Sequence, residues 1–455
     1  MSEVSPNLVV QNKPGKIIND MAKVQIKNEK ITPFGGIYFV TKQFKPVERA
    51  IDEYLGLRCV SVGYQYGEIV RAMMCNFFCG GDRTEDINNI KGYMGYGPDG
   101  RLCSPDTVLR MLSQLTTADT AYTSVSGKQY RFNTAESLNG LLVYVAVKCG
   151  QLVPGRAYDL DFDHEFLKAG KWDARWTYKG MPGYSPGVAV LTDVKTGEQV
   201  IVGVENRDGN ANVKFHQEDT LNRILYNLAQ AGIKVRYARM DCGSYSRPVV
   251  KLLLEHCERI FIRTEMSQSL RAQLDAPQVW RKAEINNIEV ETTSLPFDAF
   301  GDDAPNCRLV VQRTRKEQGE QLDIFDNGQY TCRAILTNEK KMSEPAVITY
   351  YNQRGAKEKI LDQMDNDFGW HYLPKSEMGQ NAVFMLITAI IRNFYERLLR
   401  IDMLKQFAIQ AGTRMKAFIA RLIAVPAKWV RSGRQNLLNL YTDNAAYIDL
   451  FADYG

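Results

Sequence analysis

The most regular pattern of apolar and polar positions in the chain is an alternation in the stretch YDLDFDH. Apolar residues alternate there with Asp159, Asp161 and Asp163, which predicts a strand with one apolar face and one acidic face. Two more strand-like runs follow at 187–193 and 199–206, and the short links between them indicate an antiparallel meander. Three like charges on one face repel and are tolerated best where a cation binds, but a strand that faces solvent has the same pattern.

A helix between two strands sets the geometry of the predicted sheet. Apolar residues at helical spacing predict a helix from Asp219 to about Gly232, and the strand KVRYARMD then ends on Asp241. A strand–helix–strand connection requires a crossover, so this strand is predicted to lie parallel to and beside the Asp163 strand. Ligand sites in such sheets lie beyond the carboxyl ends of parallel strands, so Asp163 and Asp241 are expected to converge. With a further strand at 259–263, the prediction is an α/β core around a mixed five-stranded sheet with flanking helices.

The regions around this core differ in pattern. Residues 1–150 are predicted to be mainly helical apart from an extended stretch at 21–44, and they either bind DNA through a helix in the major groove or pack as an ordinary helical domain. The predicted parts that follow are the first part of the core at 151–268, a β-strand insertion at 269–345, the second part of the core at 346–400, and a helical, basic C-terminal region at 401–455. A short β-rich run, AVITYY, ends at Tyr351.

Composition narrows the chemistry that the chain supports. Nine scattered cysteines and four histidines, none at zinc-ligand spacing, favour reduced thiols and a hard cation held by carboxylates. No apolar run is long enough to span a bilayer and no signal-peptide pattern is present, so a cytoplasmic protein without a membrane partner is expected. The formal net charge is +5, and six basic residues without an acid lie between Gly412 and Leu440. That segment either binds a polyanion or forms a solvated helical face.

The stretch YNQRGAKE carries a tyrosine, an arginine and a glutamate three and four residues apart. This spacing predicts that Tyr351, Arg354 and Glu358 share one face of a helix. A carboxylate beside a guanidinium suits a site that holds metal ions and phosphates together. With Asp163 and Asp241, Glu358 completes a set of three acids that suits two Mg²⁺ ions and an in-line attack on phosphorus. Phosphoryl transfer on nucleic acid is therefore the predicted reaction.

The pieces DLDFDH, YKGMPGYSPGVAVL, RMDCGSYS and YNQRGAKE occur in this order, and together they resemble a DDE transposase of a bacterial insertion sequence. The resemblance implies a ribonuclease-H-like catalytic core, with Asp163, Asp241 and Glu358 as the catalytic and metal-binding triad. It also implies two bound Mg²⁺ or Mn²⁺ ions and cut-and-paste transposition by 3′-end cleavage and strand transfer. The implied partners are terminal inverted repeats, target DNA and a second copy of the chain, which form a homodimer on paired ends in the bacterial nucleoid.

The same resemblance assigns roles around the triad. The residues expected to contact DNA or its phosphates are Tyr351, Arg354, Lys359, Arg239 and Trp280. Trp280 either stacks on a flipped base or packs as a core residue, and Arg239 either contacts phosphate or pairs with a nearby acid. Asp161 is the alternative to Asp163 as the first acid. Members of the family often carry a lysine where this chain has Asp365, and Lys359 is one substitute for it.

Two other functions fit the same residues. One is a metal-dependent, ribonuclease-H-like nuclease that cuts DNA without strand transfer. The other is a catalytically silent DNA-binding protein derived from a transposase, although the complete set of three acids argues against it.

Overall fold

The architecture combines helices with a large mixed sheet. The computed structural model describes residues 26–98, 100–177, 179–276, 278–315 and 330–452, without the side chains of 355–358. The helices in these ranges are α1 (Ile37–Leu55), α2 (Tyr66–Phe78), α3 (Ile87–Met94), α4 (Pro105–Gln114), α5 (Glu136–Lys148), α6 (Gln217–Gln230), α7 (Arg247–His256), α8 (Gln268–Asp275), α9 (Glu344–Asn352), α10 (Ala356–Asp367), α11 (Met378–Leu398), α12 (Met415–Phe418) and α13 (Ala446–Leu450). The strands are β1 (Thr120–Thr123), β2 (Gln129–Asn133), β3 (Ala157–His164), β4 (Leu167–Lys168), β5 (Arg175–Trp176), β6 (Pro182–Tyr184), β7 (Gly187–Asp193), β8 (Gln199–Arg207), β9 (Lys234–Met240), β10 (Cys257–Arg263), β11 (Arg281–Ile285), β12 (Ile288–Pro296), β13 (Arg308–Arg315), β14 (Tyr330–Thr337), β15 (Ala427–Ser432) and β16 (Gln435–Leu440).

The main sheet has the strand order β1-β2-β8-β7-β3-β9-β10-β14-β13-β12-β11. β3, β9 and β10 run parallel to one another, whereas β7 and β8 run antiparallel to their neighbours. The parallel pairing of β3 with β9 confirms the crossover that the sequence predicts. Two smaller sheets accompany it, a three-stranded one formed by β4, β6 and β5 and the hairpin of β15 and β16.

The main sheet is larger than the five strands predicted. The predicted strands β8, β7, β3, β9 and β10 lie together at its centre. On one side β2 pairs with β8, and on the other side β14 pairs with β10. A five-stranded sheet would leave unpaired backbone groups along both edges, and the additional strands satisfy them. The strands of the predicted insertion therefore continue the sheet instead of forming a layer of their own.

The predicted strand AVITYY is wrong, because this stretch forms α9. The helix begins after Ser343 and has Pro345 in its first turn, and both residue types favour a helix start. Val347, Ile348 and Tyr351 are buried in a small core against strands of the insertion. Their spacing of one, three and four residues is that of one helix face, and it outweighs the β-branched composition of the stretch.

Most helices pack into one hydrophobic core beside the central strands. α1, α2, α4, α5 and α11 share this core with residues of β7 and β8. The extended stretch predicted at 21–44 is wrong from Ile37 onward, since Ile37, Val40 and Phe44 recur at helical spacing and are buried in α1. α11 is tied to β8 by Asn393, whose side-chain amide donates to the Ile201 carbonyl and accepts from the Ile201 N–H, each at 2.8 Å.

The C-terminal region is not continuously helical, which corrects the prediction for 401–455. β15 and β16 form an antiparallel hairpin, and Gly433 takes the positive φ of 60° that its turn requires. The basic residues do not form one solvated helical face either. Arg414 pairs with Asp362 and Asp367 of α10, at 2.5 and 2.8 Å. Part of the basic segment is thus neutralised within the chain.

No helix within the described ranges is both long enough and apolar enough to cross a membrane. The most buried one, α11, carries an ion pair between Arg392 and Glu396 at 3.4 Å. All nine cysteines are free thiols.

Candidate active site

Two of the predicted acids meet at the carboxyl ends of the central strands. Phe162 of β3 lies opposite Met240 of β9, so Asp163 and Asp241 each come one position later on neighbouring parallel strands, which lie about 4.8 Å apart. Both residues are half-buried. A Cβ at Gly243 would lie 2.9 Å from Cγ2 of Val213 and 3.1 Å from Oδ1 of Asp241, so a side chain there would crowd the carboxylate. The crossover thus brings together two carboxylates that are distant in sequence.

Arg354 joins this pair from the other side. Its Nη1 donates to Oδ2 of Asp163 at 2.8 Å, while Oδ1 of Asp163 accepts from the His164 backbone N–H. Burial alone lowers the pKa of the Arg354 guanidinium, but the charge of Asp163 offsets this and keeps that pKa above its ordinary value. Arg354 and Asp163 therefore form a charge-assisted pair within the site.

The YNQRGAKE motif is not on one helix, which corrects the sequence prediction. Tyr351 lies near the end of α9, Arg354 lies in a 3-10 turn at Gln353–Gly355, and Glu358 lies in the first turn of α10. Three consecutive segments, a helix end, a 3-10 turn and a helix start, therefore present the motif. The side chain of Glu358 is outside the described part of the structure, whereas Lys359 is described and exposed. The contact of Arg354 with Asp163 brings this segment to the strand ends.

Asp161, the alternative first acid, forms an ion pair with Arg239. Nε and Nη2 of Arg239 donate to its two carboxylate oxygens at 3.0 and 2.7 Å. Both side chains are buried, with exposed fractions of 6% for Arg239 and 3% for Asp161. Burial lowers the pKa of the Arg239 guanidinium, but the charge of Asp161 and its hydrogen bonds contribute to a net rise, so the guanidinium stays protonated. Neither side chain is available to a metal ion or to a DNA phosphate in this arrangement.

A second arginine–aspartate pair joins β9 to β3, further from the strand ends; we call the two pairs the arginine ladder. Arg236 donates to both oxygens of Asp159, at 2.8 and 2.7 Å, and the Tyr350 hydroxyl donates to Asp159 at 2.7 Å. Of the three acids on the acidic face of β3, two are thus held by arginines of β9. Asp163 is the one at the strand end, where its arginine comes from the motif segment.

A pocket beside Tyr351 contains residues that the sequence did not indicate. Its lining includes Arg263, Gln312, Arg333 and Asn352. Burial raises the pKa of the Tyr351 phenol, and the guanidinium groups of Arg354 and Arg263 oppose that rise. Arg263 ends β10, so the rule that selected Asp163 and Asp241 at strand ends also selects Arg263.

Trp280 lies in the segment before β11, within the predicted insertion. It is partly buried against the core that includes the central strands, and the Arg313 guanidinium lies over its ring at 4.0 Å. Arg313 also pairs with Glu291 at 2.6 Å. The ring is therefore covered on one face by an arginine of the inserted strands.

One group of three possible metal ligands occurs among the described residues. His216, Glu218 and Asp219 place their ligand atoms within 4.8 Å of one another at the start of α6. Nδ1 of His216 already bonds Oδ2 of Asp219 at 2.6 Å. The group contains none of the predicted acids, and two of its three members are already paired with each other.

Residues 57–454 match a family described as "Transposase DDE domain group 1". Among solved structures, the chain is similar to one described as "Cryo-EM structure of piggyBac transposase synaptic complex with hairpin DNA (SNHP)". The two are 14% identical with a TM-score of 0.43, and the alignment covers 85% of this chain and 78% of that chain. No curated protein matches the sequence significantly. The family match spans both strand-end carboxylates and the Arg354 segment.

Proposed function

This chain belongs to the transposase DDE domain group 1 family, and we propose that it cuts DNA at the terminal inverted repeats of an insertion sequence and joins the 3′ ends to target DNA. The observation that carries the proposal is the adjacency of Asp163 and Asp241 at neighbouring strand ends, with Arg354 in contact with one of them. The central order β8-β7-β3-β9-β10 supports a ribonuclease-H-like core. Because two ends are handled together, the acting form is proposed to be a homodimer.

The donor atoms at the strand ends fit hard divalent cations. Asp163 and Asp241 offer carboxylate oxygens, the ligand type that Mg²⁺ and Mn²⁺ prefer. Both side chains are half-buried, so solvent and DNA can reach them. We assign Glu358 as the third acid from its place at the start of α10. Two such ions would supply activation of a water or 3′-hydroxyl and charge stabilisation of the leaving oxygen.

The arginine and tyrosine of the motif are proposed to hold the DNA strand. A guanidinium has five N–H donors, so Arg354 can bond Asp163 and a phosphate oxygen together or exchange one for the other. Tyr351 lies beside it with its ring buried, which fixes the direction of the phenol. Lys359 is exposed one residue after Glu358 and offers a further positive charge next to the motif. Arg239 is not part of this set, because its guanidinium is buried against Asp161.

Replacing Arg354 with alanine is expected to weaken binding of DNA ends while tightening Mn²⁺ binding to the free protein. The guanidinium competes with a cation for Oδ2 of Asp163, and an ion pair near the surface contributes up to about 1 kcal/mol, or about fivefold in affinity. Calorimetric titration with Mn²⁺ measures the change. Lys359→Ala is the matched control, since it removes a nearby charge that is exposed. Equal gains in both variants would mean that net charge alone is responsible.

The proposed reaction is tested with labelled terminal repeats of the element and a supercoiled target plasmid. Incubation with Mg²⁺ or Mn²⁺ is expected to give 3′-nicked ends and then labelled ends joined covalently to the plasmid. Cleavage without joined product would identify the nuclease alternative. Specific binding of the ends without metal-dependent cleavage would identify the silent DNA-binding alternative, and either result contradicts the proposal.

A further inference from the structure

A small lobe is inserted between β3 and β7, directly after the candidate active-site residue Asp163. β3 ends at His164, one residue after Asp163, and the chain returns in β7 at Gly187, which lies opposite His164 in the sheet register. Between them, β4, β6 and β5 form the three-stranded sheet, and the described residues are 165–177 and 179–186. We call this segment the strand-end lobe. Both of its connections to the body lie at the carboxyl end of β3.

The lobe exposes two tryptophans. Trp172 and Trp176 have exposed fractions of 88% and 69%, although the chain has only five tryptophans and Trp370 is completely buried. Trp176 lies in β5 and Trp172 four residues earlier. A fold that needed these rings only for packing would bury them, because covering an aromatic side chain contributes several times more than covering a small residue. Both rings are therefore available to a partner.

The exposed charged residues of the lobe itself have one sign, although Glu85 from outside the lobe lies close enough to interact with Lys171. Lys168, Arg175 and Lys179 are exposed. The only acids in the lobe are Glu165 and Asp173, and both are half-buried. Exposed aromatic rings interleaved with basic side chains are the composition of surfaces that bind single-stranded nucleic acid.

Asp173 holds the lobe against the body of the protein. Its carboxylate accepts from Nη1 of Arg131 at 3.2 Å and from the Met378 backbone N–H at 2.8 Å, and the Tyr184 hydroxyl donates to it as well. Gly183 packs so closely that a Cβ would lie 2.2 Å from the Leu167 carbonyl oxygen. The Asp173 carboxylate is thus fully engaged in contacts within the protein, and these contacts fix the lobe that carries the two tryptophans. A preformed surface loses little conformational entropy when it binds.

The basic surroundings favour a nucleic acid over a second copy of this chain. Two copies that met through this face would bring Lys168, Arg175 and Lys179 of each against those of the other, and like charges at an interface oppose association. A DNA strand neutralises the same charges with its phosphates and presents flat bases to the rings.

We propose that the strand-end lobe is a platform for unpaired DNA, on which Trp172 and Trp176 stack bases next to the bond that is cut. The proposal rests on the function assigned above, since it adds a binding surface for the DNA strand at that site. The partner class is single-stranded or locally unpaired DNA, held by stacking on the two rings and by phosphate contacts to the basic side chains.

The test uses the full-length protein without metal and a fluorescein-labelled oligothymidylate, with a duplex of equal length as the second probe. Trp172→Ala and Trp176→Ala are each expected to weaken binding of the single strand by about tenfold, the usual effect of losing one base–aromatic stack. Duplex affinity should change much less. Trp172→Phe should retain most of the single-strand affinity, because a flat ring remains. Fluorescence anisotropy gives both affinities.

Tyr226→Ala is the matched control, because Tyr226 is an exposed aromatic residue on α6, outside the lobe. Unchanged melting temperatures would show that the tryptophan variants are folded. Unchanged single-strand affinity, or equal losses on both probes, would overturn the platform. If the tryptophan variants form a smaller oligomer than the wild type but bind DNA with unchanged affinity, the lobe is an interface between copies of the chain. That result would also overturn the platform. Since the assay needs no cleavage, a wild-type protein that binds single strands but never cuts would contradict the proposed function alone.

Discussion

Asp241→Asn protein is expected to cleave DNA ends about a thousandfold more slowly than the wild type, because one carboxylate's share of metal stabilisation amounts to several kcal/mol. The amide keeps the shape of the side chain but removes its negative charge. DNA binding should persist, since the basic residues that meet phosphates are unchanged. Asp163→Asn should have the same effect, because the two carboxylates lie on neighbouring strand ends.

Cleavage of a labelled end in Mn²⁺, measured under single-turnover conditions, gives the rate. Asp302→Asn serves as the control, because Asp302 is an exposed acid of the predicted insertion. Glu358→Gln tests the third acid in the same assay. Near-normal cleavage by the Asp241→Asn protein would remove Asp241 from the proposed site.

Arg239→Met is expected to destabilise the fold by about 3–5 kcal/mol, because it removes the guanidinium that balances the charge of the buried Asp161 carboxylate. Both side chains of this pair are almost fully buried. Replacing both residues, as Asp161→Leu with Arg239→Met, should recover most of the loss, since a pair of apolar side chains of similar volume needs no partner. Urea unfolding, monitored by circular dichroism, gives the free energies of unfolding of the wild type, the Arg239→Met protein and the double variant.

Asp163→Asn is the comparison that separates the two candidate first acids. Asp163 is half-buried and at the strand end, so its replacement should change the free energy of unfolding much less than Arg239→Met does. An Arg239→Met protein with normal stability and weakened DNA binding would restore the phosphate-binding role that the sequence resemblance implied for Arg239. Loss of stability with normal DNA affinity would leave the pair as a structural element.

The meeting of Asp163 and Asp241 follows from sequence because it depends only on topology. An amphipathic helix between two strands requires a parallel crossover, and the carboxyl ends of parallel strands lie at the same edge. The predicted bounds of β3, β7 and β9 agree with the structure to within about one residue, because the apolar patterns that predict these strands are local properties of the sequence. Local periodicity and chain connectivity were sufficient for this part of the site.

The two arginine–aspartate pairs between β9 and β3 depend on a shift in strand register, which the periodicity of the sequence does not encode. Tyr158 faces Val235, but Asp159 faces Tyr237, so the pairing of β3 with β9 shifts by one residue at Arg236. This bulge lets Arg236 and Arg239, three residues apart, bond acids two residues apart on β3. A strict period of two would have put these arginines on opposite faces. The YNQRGAKE motif is likewise divided into helix, turn and helix, and the contact of Arg354 with Asp163 is a tertiary contact that periodicity does not encode.

The place of β14 next to β10 also bears on synthesis of the chain. β10 is complete at Arg263, but β14 begins only at Tyr330, which is 67 residues later (330 − 263). At a synthesis rate of about 5–20 residues per second, the outer edge of β10 stays unpaired for roughly 3 to 13 seconds until β14 has been synthesised. Glu258, Arg259 and Arg263 lie along that strand, and charged side chains are a common guard of an open edge against pairing with another nascent chain.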